Sequence, residues 1–260
     1  YVVSDRPVIV CEGVGKRFDD TWVLRDVNLE VRTGEVLGII GPGGHGKSVL
    51  LKLLAGLITP DEGRVVVDGQ DLAALEPLAL AKVRADYGYL FQNYALFDFM
   101  TVSDNVAFPL RQLDDIPEKE ITERVERRLT QVDLGHALPL FPRELSGGMK
   151  KRVGVARATV AHPRIVLYDD PTAGLDPVTS SKIFALVSSI HAGGDRQGRP
   201  CASVVVSHDI DRMKRVCERY VMIYDGAVVF DGLEAQISGA QETVSKFFFG
   251  AANKEGSVAP

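Results

Sequence analysis

A glycine-rich loop between a strand pattern and a helix pattern is the feature that most constrains this chain. The loop consists of Gly41, Pro42, Gly43, Gly44, His45, Gly46, Lys47 and Ser48. The apolar run at 36–40 predicts a strand before it, and the leucine spacing in 47–57 predicts a helix after it. The spacing G-x-x-x-x-G-K-S in that setting is typical of a loop that cradles nucleotide phosphates. A glycine-rich turn that binds nothing is the alternative, and the flanking strand and helix argue against it.

Each part of this loop has a physical task. The glycines let main-chain N–H groups face a phosphate, and the helix N-terminus adds partial positive charge. Lys47 is expected to reach the β- and γ-phosphates, and Ser48 is expected to bind Mg²⁺. The sequence therefore predicts a nucleoside triphosphate with Mg²⁺ as the ligands of an α/β domain.

Two carboxylates follow a later apolar run. The run 165–168 predicts a buried strand, and Asp169 and Asp170 come directly after it. A strand that brings Asp169 beside the phosphate loop supplies a partner for Mg²⁺, as the corresponding Asp does in P-loop NTPases. Asp170 is then placed to polarise an attacking water. In isolation, two acids in a turn after a core strand would be an equally good interpretation, but the phosphate loop favours the catalytic one.

Composition excludes several classes of function. The net charge of −5 among 260 residues argues against a general nucleic-acid binder, because that affinity depends on clustered Lys and Arg. The three cysteines, Cys11, Cys201 and Cys217, have no metal-ligand spacing and are expected to be reduced thiols. The longest apolar runs have strand length, far below the roughly 20 residues of a membrane helix. If a membrane is involved, we expect a partner to span it.

The pattern along the chain predicts an α/β core with an inserted helical lobe. Residues 1–92 and 162–240 are assigned to the core, because short β-branched runs alternate there with turn residues and one crossover helix at 178–190. Residues 93–161 are assigned to the lobe, where apolar residues recur at helical spacing between charges. Residues 241–260 form a C-terminal tail with an apolar segment at 244–249, which would dock on a sister subunit or on its own domain.

A second glycine-containing helix start extends the pattern into a resemblance. Ser146, Gly147 and Gly148 precede a basic helix pattern and form another candidate anion site. Together with the phosphate loop, they resemble the signature motif of ABC ATPases. Further motifs of that family occur in its order: Gln92 resembles the Q-loop glutamine, Asp176 lies in a likeness of the D-loop, and His208 resembles the switch histidine. The likeness covers about residues 8–232.

The resemblance implies a fold and an assembly. The fold is a P-loop NTPase core, with a RecA-like parallel sheet, an antiparallel β subdomain and an inserted all-helical signature subdomain. The assembly is a homodimer in which Ser146 and Gly148 of one copy contact the γ-phosphate held by the other. His208 would contact that phosphate, and Gln92 would link Mg²⁺ and the attacking water to the helical lobe. Phe18 is the candidate to stack on adenine, with a buried strand residue as the alternative.

Finer features resemble the ATPases of Mla/Mce-type lipid transporters. These features are the stretch 90–111, Met149 and the run 168–177. The resemblance implies phospholipid transport by an integral membrane permease, with an MCE-domain lipid-binding protein and a small accessory subunit as further partners. It places the chain peripherally on the cytoplasmic face of the inner membrane. ATPases of amino-acid or metal importers share much of this region and stay an alternative.

Four aromatic residues follow the Q-loop glutamine. They are Tyr94, Phe97, Phe99 and Phe108. Such ATPases receive a short helix of the permease in this region, so the four residues would form that docking surface. The core of the helical lobe is an equally good interpretation.

Three positions depart from the family pattern. Asp170 stands where Glu is usual, which predicts slow hydrolysis with ATP binding retained, or a weakly hydrolysing regulatory subunit. Val49 replaces a common hydroxyl residue, so one α-phosphate contact is expected to be absent. His45 would add a phosphate contact or face solvent. ABC ATPases of chromosome maintenance or translation are disfavoured, since the chain has neither a long coiled-coil insertion nor a second nucleotide site.

Overall fold

Two β-sheets form the framework of the computed structural model, which describes residues 6–113 and 116–250. The smaller sheet is antiparallel and has the order β2-β1-β4-β5. Its strands are β1 (Pro7–Phe18), β2 (Thr21–Arg32), β4 (Glu62–Val67) and β5 (Gln70–Asp71). Alternating buried and exposed residues along β2 show that one face packs inward while the other meets solvent, as expected for an antiparallel sheet.

The larger sheet has six strands in the order β10-β9-β3-β8-β7-β6. Its strands are β3 (Val36–Ile40), β6 (Tyr87–Leu90), β7 (Ile165–Asp169), β8 (Ala202–Val206), β9 (Arg219–Tyr224) and β10 (Ala227–Leu233). All neighbours pair in parallel except β9 and β10, which form a hairpin. Every residue of β3, β7 and β8 is buried, because helices or the smaller sheet cover both faces.

Eight α-helices surround these sheets in the described part of the chain. They are α1 (Lys47–Leu54), α2 (Pro77–Arg84), α3 (Val102–Arg111), α4 (Glu118–Gln131), α5 (Gly147–Thr159), α6 (Pro177–Gly193), α7 (Ile210–Met213) and α8 (Glu242–Gly250). In α4, the apolar residues Ile121, Val125 and Leu129 are buried while the charged face is exposed. Among the described helices, none combines the length and the apolar character needed to cross a membrane.

Strand order brings distant segments to one edge of the larger sheet. β8 lies between β3 and β7, with Ile39 opposite Val206 and Val206 opposite Asp169. Because the three strands are parallel, the segments that follow them emerge side by side. Ligands of open α/β sheets bind at this carboxyl edge.

The structure confirms the predicted fold class, an α/β P-loop core with an antiparallel sheet and a helical signature region. α3, α4 and α5 occupy the predicted helical lobe, although their buried side chains join one core with β7, β8 and α6. The division into lobes at 93–161 stays a prediction. The described tail packs on its own domain, since Val244 and Phe248 are fully buried and the Phe248 ring lies 5.1 Å from that of Tyr220. The remaining tail, 251–260, lies outside the described residues.

Two buried tyrosines provide a matched test of this core. Both are fully buried, but the Tyr220 hydroxyl donates to the Cys217 carbonyl at 3.2 Å, whereas the Tyr168 hydroxyl has no hydrogen-bond partner among the described residues. We expect Tyr168→Phe to raise the free energy of unfolding by about 1 kcal/mol and Tyr220→Phe to lower it by a similar amount. Urea unfolding of the nucleotide-free chain measures both. An equal decrease in the free energy of unfolding of both variants would contradict the assignment of a hydrogen bond to the Tyr220 hydroxyl alone.

Candidate functional site

The carboxyl edge of the larger sheet holds a cleft of about 280 Å³. The cleft is lined by Val23, Gly43, Gly44, Gly46, Lys47, Ser48, Val49, Gln92, Asp169, Asp170, Val206 and His208. The predicted phosphate loop, both carboxylates, the glutamine and the histidine therefore lie around one space. A larger cleft of about 990 Å³ adjoins α4, but none of the predicted site residues lines it.

Glycines shape the phosphate loop for two different reasons. A Cβ on Gly41 would lie 2.1 Å from the Ile223 carbonyl oxygen, and one on Gly46 would lie 2.9 Å from the Val23 carbonyl oxygen. Both glycines also have positive φ, 139° and 97°. Gly43 and Gly44 instead face open space, which leaves the main chain accessible to a ligand. The loop is thus anchored at its ends and open in its middle.

Lys47 is the buried cation of the loop. Its ammonium donates to the carbonyls of Gly41 and Pro42 at 2.7 and 2.6 Å. Burial lowers the pKa of Lys47, and the negative charges of Asp170 and Asp169 act in the opposite direction. These neutral acceptors leave the positive charge available for a phosphate, which would bind it through charge-assisted hydrogen bonds.

Ser48 and Asp169 meet at the floor of the cleft, where the serine hydroxyl donates to the carboxylate at 2.9 Å. Burial raises the pKa of Asp169, while the Ser48 hydrogen bond lowers it and the charge of Asp170 raises it. A hydroxyl beside a carboxylate suits Mg²⁺, which prefers oxygen ligands. No group of three or more ligating His, Cys, Asp or Glu side chains occurs among the described residues, so the ion would take its other ligands from phosphate and water.

Asp170 is held in an uncommon main-chain conformation. Its φ is 51°, and its N–H donates to the Val206 carbonyl at 2.9 Å. The Ser207 hydroxyl donates to its carboxylate at 3.4 Å. Gln92 and His208 are exposed on the rim of the same cleft. Asp170, Gln92 and His208 can thus order a water molecule at the phosphate end of the cleft, and the Asp170 carboxylate can polarise it.

The second glycine-containing helix start does not line this cleft. Ser146 begins α5, where its hydroxyl accepts from the Met149 N–H at 3.3 Å, and both Ser146 and Gly147 are exposed. Asp176 begins α6 and accepts from the N–H groups of Val178 and Thr179, and hydrogen bonding to Thr179 lowers its pKa. Within one chain, these residues are presented at the surface rather than to the phosphate loop.

Phe18 and His45 do not line the cleft within one chain. Phe18 ends β1 and is 47% exposed, so it is not a buried core residue, and the Lys16 ammonium lies 5.5 Å from its ring. The His45 Nδ1 atom accepts from the Asp225 N–H at 2.9 Å, and its ring lies 5.1 Å from that of Tyr224. The His45 side chain thus ties the loop to the β9–β10 turn and is 25% exposed, while its predicted phosphate contact stays a prediction.

Sequence reasoning missed three residues in or beside the cleft. Val23 and Val206 line it and Ser207 donates to Asp170, yet none of the three was predicted as a site residue. Ser207 could have been found from its place between an apolar strand and His208. Val23 carries no such signal, since only the approach of β2 to Gly46 brings it there.

An apolar groove lies beside the Q-loop glutamine and has a volume of about 630 Å³. Phe97 and Phe108 line it, with ring centroids 4.9 Å apart, and Phe99 beside them is 76% exposed. The buried core of the helical region consists of aliphatic residues such as Val106 and Leu110 instead. Phe97, Phe99 and Phe108 therefore form an accessible surface, although Phe99 and Tyr94 do not line the groove itself.

Known proteins share this architecture. The sequence model described as ABC transporter matches residues 24–173. Protein TRIGALACTOSYLDIACYLGLYCEROL 3, chloroplastic, of Arabidopsis thaliana is 36% identical over 94% of this chain and 74% of its own length. Methionine import ATP-binding protein MetN 2 of Pseudomonas syringae is 39% identical over 82% of this chain, which spans 62% of that relative. The dimeric, post-hydrolysis structure of the ATP-binding cassette MJ0796 with ADP and Pi is 32% identical with a TM-score of 0.78, covering 86% of this chain and 98% of the other.

Replacing the buried Asp169 separates stability from ligand binding. We expect Asp169→Asn to stabilise the nucleotide-free chain by on the order of 1 kcal/mol, because it removes a charge whose burial is unfavourable. The variant should also lose the Mg²⁺-dependent part of the stabilisation by ATP. Thermal unfolding with and without ATP, Mg²⁺ and EDTA measures both effects. Asp98→Asn, at an exposed position, is the control and should change neither.

Proposed function

Because this chain belongs to the ABC transporter family as an ATP-binding subunit, we propose that it hydrolyses ATP to drive transport. The proposed cargo is a lipid, either a phospholipid or a related molecule, which passes through a partner permease. ATPase domains of this family bind ATP with Mg²⁺. One observation carries the catalytic part of the proposal: the phosphate loop, the hydrogen-bonded Ser48–Asp169 pair and Asp170 lie in one cleft at the carboxyl ends of β3 and β7.

The proposed roles follow from the contacts in that cleft. Lys47 would exchange its two carbonyl acceptors for phosphate oxygens, which carry negative charge. Ser48 and Asp169 would hold Mg²⁺, whose positive charge neutralises charge that develops on the phosphates. Asp170 would orient and polarise the attacking water. Gln92 and His208 would complete the site from the rim of the cleft.

We propose that two copies of the chain complete each site. Ser146 and Gly148 lie outside the cleft of their own chain, which fits a role at the γ-phosphate bound by the partner. The helix start they form would add main-chain N–H groups and partial positive charge to that phosphate. Both solved structures of MJ0796 that resemble this chain are described as dimeric. Phe18 would stack on the adenine, since its ring is exposed at the end of β1.

The apolar groove beside Gln92 is the proposed permease surface. Phe97 and Phe108 line it and Phe99 beside them is exposed, and aromatic residues are enriched in protein interfaces. A permease helix seated in this groove would lie next to the segment that carries Gln92. Binding of the permease would therefore affect the nucleotide site. We therefore propose that the chain lies peripherally on the cytoplasmic face of the inner membrane.

A lipid is the proposed cargo on two grounds. The stretch 90–111 and Met149 resemble the ATPases of Mla/Mce-type transporters, and one of the relatives carries the name of a galactolipid, trigalactosyldiacylglycerol. An MCE-domain lipid-binding protein and a small accessory subunit are the further partners that this proposal implies. The alternative is an amino-acid or metal importer, which the 39% identity to a methionine importer subunit favours.

The shortened carboxylate at position 170 predicts slow hydrolysis. We expect Asp170→Glu to raise the rate of ATP turnover by roughly ten- to a hundredfold, because the extra methylene moves the carboxylate towards the water. The measurement is steady-state phosphate release by the purified dimer, with and without its solubilised membrane partner. Asp170→Asn, which removes the charge, should fall below the native rate. An unchanged rate in Asp170→Glu would refute the idea that the shorter side chain at position 170 slows hydrolysis.

The cargo is tested on the complex isolated from native membranes. Affinity purification of the chain should recover a permease and an MCE-domain protein. In liposomes, ATP turnover of that complex should depend on the phospholipid supplied, while methionine should leave the rate unchanged. Stimulation by methionine without any dependence on lipid would favour the importer alternative.

A further inference from the structure

Lys151 is buried behind the proposed catalytic residue. It lies on the second turn of α5 and is only 2% exposed, although lysine is among the residues most rarely buried. Its ammonium donates to the carbonyl of Asp170 at 2.7 Å and to the carbonyl of Ala173 at 3.2 Å. Both acceptors belong to the main chain that follows β7. The helix α5, which follows the signature motif, therefore contacts the loop that carries Asp170 through these two hydrogen bonds.

The same helix face also holds the segment after Gln92. The Lys151 ammonium lies 5.6 Å from the centre of the Tyr94 ring, within range of a cation–π contact. Two turns further on, the Arg157 guanidinium donates to the carbonyls of Tyr94 and Ala95, both at 2.7 Å. Gly154 lies between them, and a Cβ there would come within 2.9 Å of the Leu90 side chain. Residues 151, 154 and 157 thus form one face, which contacts the 90–95 segment directly.

The conformation of Asp170 gives the Lys151 contact its significance. Asp170 has a φ of 51°, in a region that costs a non-glycine residue roughly 1–3 kcal/mol and persists only where the surroundings impose it. Its N–H is held by Val206, and its carbonyl is held by Lys151. Loss of either bond would free the peptide that sets the direction of the carboxylate.

We propose that Lys151 is a positioning residue for Asp170, whose ammonium fixes the catalytic main chain and joins it to the Q-loop segment. The proposal rests on the proposed role of Asp170 in ATP hydrolysis. A buried ammonium suits this task because it donates several hydrogen bonds from one point. Burial also makes these bonds stronger than they would be in water.

Two uncharged substitutions separate hydrogen bonding from packing. Lys151→Met and Lys151→Gln both remove the charge, but only glutamine can donate to the carbonyls. We expect Lys151→Met to lower kcat by roughly ten- to a hundredfold, because Asp170 is no longer held in place. Lys151→Gln should fall between Lys151→Met and the native chain. The Kd of ADP should change by less than about twofold in both, since Lys151 does not line the nucleotide cleft.

Controls make the outcome specific. Lys150→Met removes the charge of the preceding residue, which has no bond to the catalytic loop among the described residues, and should leave kcat within about twofold of native. Adding Lys151→Met to Asp170→Asn should cause little further loss, because the two residues act in one step. Thermal unfolding identifies any variant that is not folded.

Each result then decides between distinct conclusions. A native chain without ATP turnover would overturn the proposed function itself. Native turnover that depends on Asp170 but is unchanged in Lys151→Met would overturn only the role of Lys151. Equal loss in the glutamine and methionine variants, or a parallel loss of ADP binding, would also overturn it by showing that the lysine acts through packing.

Discussion

Parallel pairing of β3, β8 and β7 is the constraint on which the nucleotide site depends. Ile39, Val206 and Asp169 lie in line across these strands, so the phosphate loop, Ser207 and Asp170 leave the sheet at one level. A shift of one residue in a strand would turn its side chains to the opposite face and move Asp169 away from Ser48. The full burial of all three strands opposes such a shift, because each has apolar cores on both faces.

Buried charge at this edge is balanced largely by main-chain carbonyls and hydroxyl groups. Lys47 and Lys151 donate to carbonyls, and Asp169 accepts from Ser48. Burying charge is unfavourable, and hydrogen bonds of this kind offset only part of the cost. A triphosphate with Mg²⁺ would supply the missing opposite charges. The buried charges of the site therefore lower the free energy of unfolding of the nucleotide-free chain. Binding of the ligand would restore part of that stability.

The helical region is connected to the site through one helix. α5 has Ser146 as its N-cap, contacts the Asp170 loop through Lys151 and binds the 94–95 carbonyls through Arg157. The apolar groove lies on the other side of this segment, and Arg157 lines it as well. A permease helix in the groove and a nucleotide in the cleft would thus act on the same rigid element. This contiguity would provide a physical basis for the proposed coupling of transport to hydrolysis.

The sequence by itself determined the phosphate loop, the carboxylates after β7, the buried strands and the α/β fold class, because residue spacing along a short segment dictates its local conformation. Only the tertiary structure decided that His45 binds the β9–β10 turn, that Lys151 lies under Asp170 and that Phe97 and Phe108 line an open groove. His45 and Asp225 are 180 residues apart in the chain. Contacts of that kind depend on how whole elements pack, and no local pattern encodes them.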